Sequence, residues 1–261
     1  LVATPEDVCT KVLVENSRES LFETVFRNYW NETLWGQANQ SECEGYVQWP
    51  VRPHTSAEDI KNSVFRIYAS TVRKMFPGND TRKYAYFYDF ENMASSEKLS
   101  ITGGFAYPYK VRDIYVSTSG DDAGEFKDFN INKIWWRLAD IYLLRAECRV
   151  RLGGDKIEGA IADLNKVRER ANAELYDPTE YNGDLQYTIF KEREKELLME
   201  GYRYFDIIRN GYVRTELEGG FKTVSDQDLI DGVLFIAINP LSTTFDNNPL
   251  MRQNAYWQRF M

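Results

Sequence analysis

Three glutamates, Glu192, Glu196 and Glu200, recur at four-residue steps in Glu192-Arg193-Glu194-Lys195-Glu196-Leu197-Leu198-Met199-Glu200. Paired carboxylates are what a general acid and base, or a glycosyl nucleophile, require. Here they stand i,i+4 along one predicted helix with Arg193 and Lys195 interleaved, and ion pairing along that helix accounts for the pattern without catalysis. A second set is aromatic. Trp30, Trp35, Tyr46 and Trp49 fall in residues 28–56, interleaved with Asn31, Asn39, Gln40 and Gln48. Flat rings stack on the apolar faces of sugars, and amides bond hydroxyls; a pocket needs apolar faces with a few placed polar groups. Any one ring is better explained as an anchor of the loop to the core, but at least one of the four is expected to meet a ligand. These four are the candidate ligand-binding residues, and no catalytic residue, metal ligand or cofactor is predicted.

Other residues mainly exclude. The single histidine, His54, rules out three-histidine and two-histidine zinc sites and the HExxH motif. No GxSxG surrounds a serine, which removes the nucleophile elbow. A formal charge of −8 over 261 residues argues against broad phosphate-backbone binding. Asp121, Asp122, Glu125 and Asp128 cluster without EF-hand spacing and read as a solvated loop. Three cysteines are too few for a disulfide framework: Cys148 reads as a buried thiol on a helix face, and Cys9 and Cys43 could pair in an oxidising compartment. Asn31, Asn39 and Asn79 begin glycosylation sequons, which matter only in a eukaryotic secretory route. No apolar run approaches a membrane span.

The elements that must position these residues follow from periodicity. Thr4-Pro5-Glu6-Asp7 is a helix start, and Ser20–Phe26 alternates like a strand. Residues 28–56 fit no period and read as a long, ring-rich loop, the kind that is commonly functional. A helix is predicted over 57–76 and ended by Pro77-Gly78, a strand over Tyr84–Phe90 and an extended segment over Tyr107–Val116. Helices are then predicted over 131–152, with Ile134, Leu138, Ile141, Tyr142, Arg145 and Cys148 near one face, over 156–172 behind an Asp155 cap, and over 185–209. Trp135-x₂-Leu138-Ala139-x₂-Tyr142 has tetratricopeptide first-helix spacing, and Ala160-x₃-Leu164 resembles that of the second helix. Three regions result: 1–130, loop-rich and aromatic; 131–211, helical; 212–261, mostly coil. They are expected to form one structural domain from a longer chain.

Several stretches carry a family resemblance. Ile134-Trp135-Trp136-Arg137-Leu138-Ala139-Asp140-Ile141-Tyr142-Leu143-Leu144-Arg145-Ala146-Glu147, Leu164-Asn165-Lys166-Val167-Arg168-Glu169-Arg170-Ala171, Glu192–Asp206 and Asn248-Pro249-x₃-Gln253-Asn254 follow one another in the order of the SusD/RagB family of outer-membrane nutrient-binding lipoproteins. Glu19-Ser20-Leu21-Phe22-Glu23 and Asp80-x-Arg82 resemble two further family elements. Asp140 stands where the family usually has Glu. Family members are about twice this length, so the chain resembles their carboxy-terminal half or two-thirds, without the secretion signal or lipidated cysteine.

The resemblance implies a mostly α-helical, SusD-like fold with tetratricopeptide-like helix pairs supporting a loop-rich region. It implies a non-catalytic protein at the outer-membrane surface that binds a glycan and delivers it to a TonB-dependent, SusC-like transporter. No ligand residue transfers by motif; only the habit of aromatic platforms does, onto Trp30, Trp35, Tyr46 and Trp49. Two other readings stand beside it: a glycoside hydrolase, and a tetratricopeptide adaptor binding peptides.

Overall fold

The computed structural model describes residues 1–14, 17–24, 66–116, 120, 123, 126–129, 131–239 and 252–260, with the backbone alone at 114–116 and 126–129. It is mostly helical, with short two-stranded ribbons. Two compact units result, Leu1–Gly201 and Tyr202–Met261.

The first unit opens as predicted. Thr4 caps a turn at Pro5–Asp7 reciprocally with Asp7, and the chain continues as a π turn to Val12. Strand β1 (Ser20–Thr24) is followed, beyond the undescribed stretch, by β2 (Ile67–Tyr68) and helix α1 (Ala69–Met75). Ile67 and Tyr68 therefore belong to a strand rather than to the predicted 57–76 helix; its residues 57–65 lie outside the described residues.

Tyr84–Phe90 is not a strand. Helix α2 spans Arg82–Tyr86, and Tyr86 and Phe87 are both fully buried although adjacent, which a period-two strand with one buried face does not allow. They join Val72, Phe76 and Phe90 in one core cluster. Next come β3 (Phe105–Ala106), which pairs with β2, and β4 (Ile114–Val116), which pairs with β5 (Phe126–Phe129).

The helix predicted over 131–152 begins later. Lys133–Arg137 is strand β6, antiparallel to β1, and helix α3 is Leu138–Leu152. Trp135 thus sits in a strand, outside the helix its spacing suggested. The core face of α3 is Ala139, Leu143 and Ala146 rather than the predicted face, and Cys148 is exposed rather than buried. Gly153, at φ +69°, ends the helix as expected. Helix α4 (Ile157–Arg170) buries Ala160, Leu164 and Val167 against α3, as its periodicity requires; Asp155 lies in a 3₁₀ turn and does not cap it. Leu185 and Ile189 of helix α5 (Leu185–Glu196) complete this cluster.

The helix predicted over 185–209 is two. Met199 at φ +67° and Gly201 at φ +87° break it, and helix α6 (Arg203–Asn210) opens the second unit. That unit is more helical than the predicted coil, with turns at Val213–Glu216, Gly219–Thr223 and Asp226–Asp231. The amide of Gln253 pairs with both backbone groups of Ile238, at 2.9 and 3.3 Å. Asn254 caps the last turn through Trp257 N at 3.1 Å and donates to Gly232 O at 3.2 Å.

Candidate functional site

Trp30, Trp35, Tyr46 and Trp49 all lie outside the described residues, as do their amide neighbours, His54, Cys43, Asp121, Asp122 and Glu125. What is described is where the ring-rich stretch is rooted. Its amino-terminal root is the β1–β6 ribbon. Phe22 lies opposite Trp136 with ring centroids 5.3 Å apart, and both rings are about half exposed, at 52% and 53%. Trp135 is 47% exposed and donates its indole N–H to Thr24 Oγ1 at 2.8 Å. Its carboxy-terminal root is the β2–β3 ribbon, where Tyr68 stacks on Phe105 at 4.3 Å and the Arg66 guanidinium sits over Phe105 at 5.3 Å. The first root therefore presents a pair of rings to solvent, and the second the exposed Tyr68 ring backed by Phe105. Rings with one free face and a fixed orientation are suited to stacking on flat apolar surfaces such as a pyranose. Phe22, Trp135, Trp136, Tyr68 and Phe105 were not among the sequence candidates. Trp135 and Trp136 carried a signal as consecutive aromatics, obscured because they read as helix, as Tyr68 did; Phe22 and Phe105 are single rings in short strands with no such signal.

The β1–β6 root is fixed by buried charge. Glu19 just before β1 and Arg137 at the end of β6 are joined at 3.0 Å. Arg137 holds Glu200 in a fork, through Nε and Nη2 at 2.7 Å each, and reaches Glu196 at 2.8 Å. Arg170 of α4 also pairs with Glu19 and Glu196. On the far side, Arg82 forks onto Asp80 and reaches Glu192 at 2.6 Å, and Arg168 reaches Glu192 at 2.9 Å. Lys110 Nζ bonds Glu200 at 2.6 Å and takes the carbonyls of Glu196 and Leu198, at 2.8 and 3.0 Å. These carbonyls are left open where α5 ends, and cations are the natural partners of a helix carboxyl end. The break in the predicted long helix thus has a cause: it turns Glu200 back onto Arg137 and Lys110.

The carboxylates are the predicted Glu192, Glu196 and Glu200, but their closest partners lie off their own helix, and the expected along-helix pairing is seen at Glu192, which meets Lys195 at 3.8 Å. All three are buried and paired with cations from four other segments. Burial alone would raise Glu192, yet the charges of Arg82, Lys195 and Arg168 outweigh it and bring its pKa down to about 2. For Glu196 burial is likewise outweighed, by Arg170, Arg137 and Arg82, and its pKa falls far below the carboxylate range. Glu200 is also lowered, by Arg137 and Lys110 against burial. A glycosidase acid needs a raised pKa; these are struts held ionised at neutral pH. Glu19, Asp80, Arg82, Arg137, Arg168, Arg170, Glu192, Glu196 and Glu200 all fall in the stretches that carry the family resemblance.

Comparison with known proteins agrees with this scaffold. A family model for the SusD family matches residues 27–257. The SusD-like protein P25 of Formosa agariphila is 34% identical over 159 residues, 60% of this chain and 28% of that protein. The starch-binding protein SusD of Bacteroides thetaiotaomicron is 38% identical over 80 residues, 31% of this chain and 13% of its own length. Among solved structures, a SusD homologue from Bacteroides thetaiotaomicron superposes with a TM-score of 0.71 at 22% identity, over 98% of this chain and 50% of that one. That likeness is one of fold. The chain spans about half the length of this homologue.

Proposed function

Because this chain belongs to the SusD family, we propose that it binds a glycan without converting it and passes it to a TonB-dependent, SusC-like transporter in the outer membrane. The observation that carries the reading is the rooting of the ring-rich stretch. In sequence, residues 28–56 fall between two ribbons that expose rings, the Phe22–Trp136 pair and Tyr68 backed by Phe105. Trp30, Trp35, Tyr46 and Trp49 supply the stacking faces, and Asn31, Asn39, Gln40 and Gln48 the hydroxyl partners. The starch-binding name of one relative supports a polysaccharide ligand.

A hydrolase reading draws no support from the carboxylates the sequence singled out, because Glu192, Glu196 and Glu200 are held ionised. The peptide-adaptor reading rests on tandem repeats, and the α3–α4 pair lacks the repeat's leading Trp, since Trp135 is in β6. The place of action is the outer-membrane surface, with lipid anchoring as the means of attachment; no helix among the described residues is long and apolar enough to cross a membrane.

Affinity electrophoresis against a panel of polysaccharides, with reducing-sugar release assayed in parallel, tests the reading. Retardation by at least one glycan without release is expected, with alanine at Trp30, Trp35, Tyr46 and Trp49 together strongly weakening it. Release of reducing ends would sink the non-catalytic reading. Undiminished retardation in a folded four-alanine variant would move the site off this stretch.

A further inference from the structure

A cavity of about 580 Å³ lies in the first unit between Met75–Pro77 at the end of α1, the 173–181 connection and α5. Pockets for small ligands run from about 300 to 1,000 Å³, so a short oligosaccharide fits. Met75, Leu175 and the Tyr181 ring give it apolar faces, and Tyr181 is 43% exposed. Lys74 and Glu174 line the same space with charged ends that make no ion pair or hydrogen bond among the described residues. One offers donors and the other acceptors, which suits hydroxyl groups, since each hydroxyl both gives and takes a hydrogen bond.

The wall carrying Tyr181 is built rigidly. Tyr181 and Asn182 are adjacent non-glycine residues at φ +47° and +60°, a conformation that persists only where its surroundings impose it. Glu180 takes both Nη atoms of Arg168, at 2.7 and 2.9 Å. Arg168 is held in turn by fully buried Glu192. Asp177 donates its N–H to Glu180 at 3.0 Å and accepts from Thr179 N at 2.7 Å. Tyr181 also packs edge to face with Tyr187 at 5.0 Å. A ring fixed before binding costs little ordering on binding.

We infer that this groove is a binding site for a short neutral oligosaccharide, with the Tyr181 ring against a sugar face and Lys74 and Glu174 on its hydroxyls. It needs none of the rings of residues 28–56. Six carboxylates line it against four cationic side chains, so it disfavours uronic-acid and sulfated sugars. The inference rests on the reading of the chain as a glycan-binding protein.

The test is calorimetric titration with maltotriose, cellotriose, mannotriose and xylotriose, and with trigalacturonate as the acidic control. At least one neutral trisaccharide is expected to bind the four-alanine variant of Trp30, Trp35, Tyr46 and Trp49. Adding Tyr181→Gly should weaken that binding at least tenfold, and Lys74→Ala about threefold, while trigalacturonate gives no heat. Glycine accepts a φ of +47° without strain, so Tyr181→Gly removes the ring and keeps the fold. Binding that neither change alters, or acidic-sugar binding that Tyr181→Gly removes, overturns the inference. If the unmutated chain binds a glycan and the four-alanine variant binds none, this groove falls and the glycan reading stands. If the unmutated chain binds neither polysaccharide nor trisaccharide, the glycan reading fails and the groove with it.

Discussion

The cluster around α5 in the first unit and the exposed pairs of the Tyr202–Met261 unit use the same ion-pair chemistry in opposite settings. Around α5, the side chains of Arg82, Lys110, Arg137, Glu192 and Glu196 are wholly withdrawn from solvent, and each cation meets more than one acceptor. In the Tyr202–Met261 unit, Lys222–Glu218 and Arg214–Asp226 pair with side chains half to four-fifths exposed. That unit is tied also by the more sheltered pairs Arg209–Asp206 and Arg203–Glu216, and by backbone-directed contacts such as Gln253 on Ile238 and Trp257 Nε1 on Phe235 O at 2.6 Å. Burial, rather than the presence of opposite charges, sets what a pair contributes. A buried charge that loses its partner keeps the full desolvation penalty, while an exposed one is rescued by water.

The largest expected effect follows at Glu196, which faces Arg82, Arg137 and Arg170 together. Glu196→Gln keeps the volume and removes the charge. It should destabilise the chain by about 3–5 kcal/mol, the usual cost of breaking a buried pair. Urea unfolding followed by circular dichroism reads this directly, and a loss below about 1 kcal/mol would show the cluster to be redundant. Acid should produce the same effect without mutation. Unfolded glutamates titrate near ~4.3, while folded Glu192 lies at about 2 and Glu196 and Glu200 are also lowered. A depressed folded pKa stabilises fully above the unfolded value and loses that contribution as pH falls through the folded one. Stability should therefore hold from neutrality to about pH 4.5 and drop steeply toward pH 2. Glu196→Gln should flatten that slope, and equal slopes in the two proteins would contradict the assignment.

This contrast also marks what the sequence could disclose. The α4 stripe was legible because Ala160, Leu164 and Val167 meet α3 at helical steps. The acidic run was visible, but its partners were not, because Arg82, Lys110 and Arg137 reach it from far along the chain. Tyr84–Phe90 was misread because alternation of aromatics mimics a strand, whereas the Asp80–Arg82 fork and the packing of Tyr86 beneath Lys110 impose a helical turn. The start of α3 was placed too early because Trp135 and Trp136 fit a helical spacing, although pairing with β1 holds them in a strand. The ring-rich stretch could be identified by composition, and its roots were found only when Phe22 met Trp136 and Tyr68 met Phe105.

The smallest expected effect lies at the other end of the contrast. Lys222 and Glu218 form an i,i+4 pair with side chains 50% and 84% exposed. Coulomb attraction there is weakened by water and opposed by the entropy of holding two long side chains. Lys222→Gln should therefore change unfolding free energy by less than about 0.5 kcal/mol, and that small difference should vanish in 1 M salt, where screening acts within about 3 Å. The Glu196→Gln deficit should persist in the same salt, because ions do not reach a pair with no exposed side-chain surface. Urea titrations of both variants at low and high salt make the comparison within one experiment. A salt-sensitive Glu196 deficit, or a Lys222 effect above about 1 kcal/mol, would break the claim that burial separates the two regions.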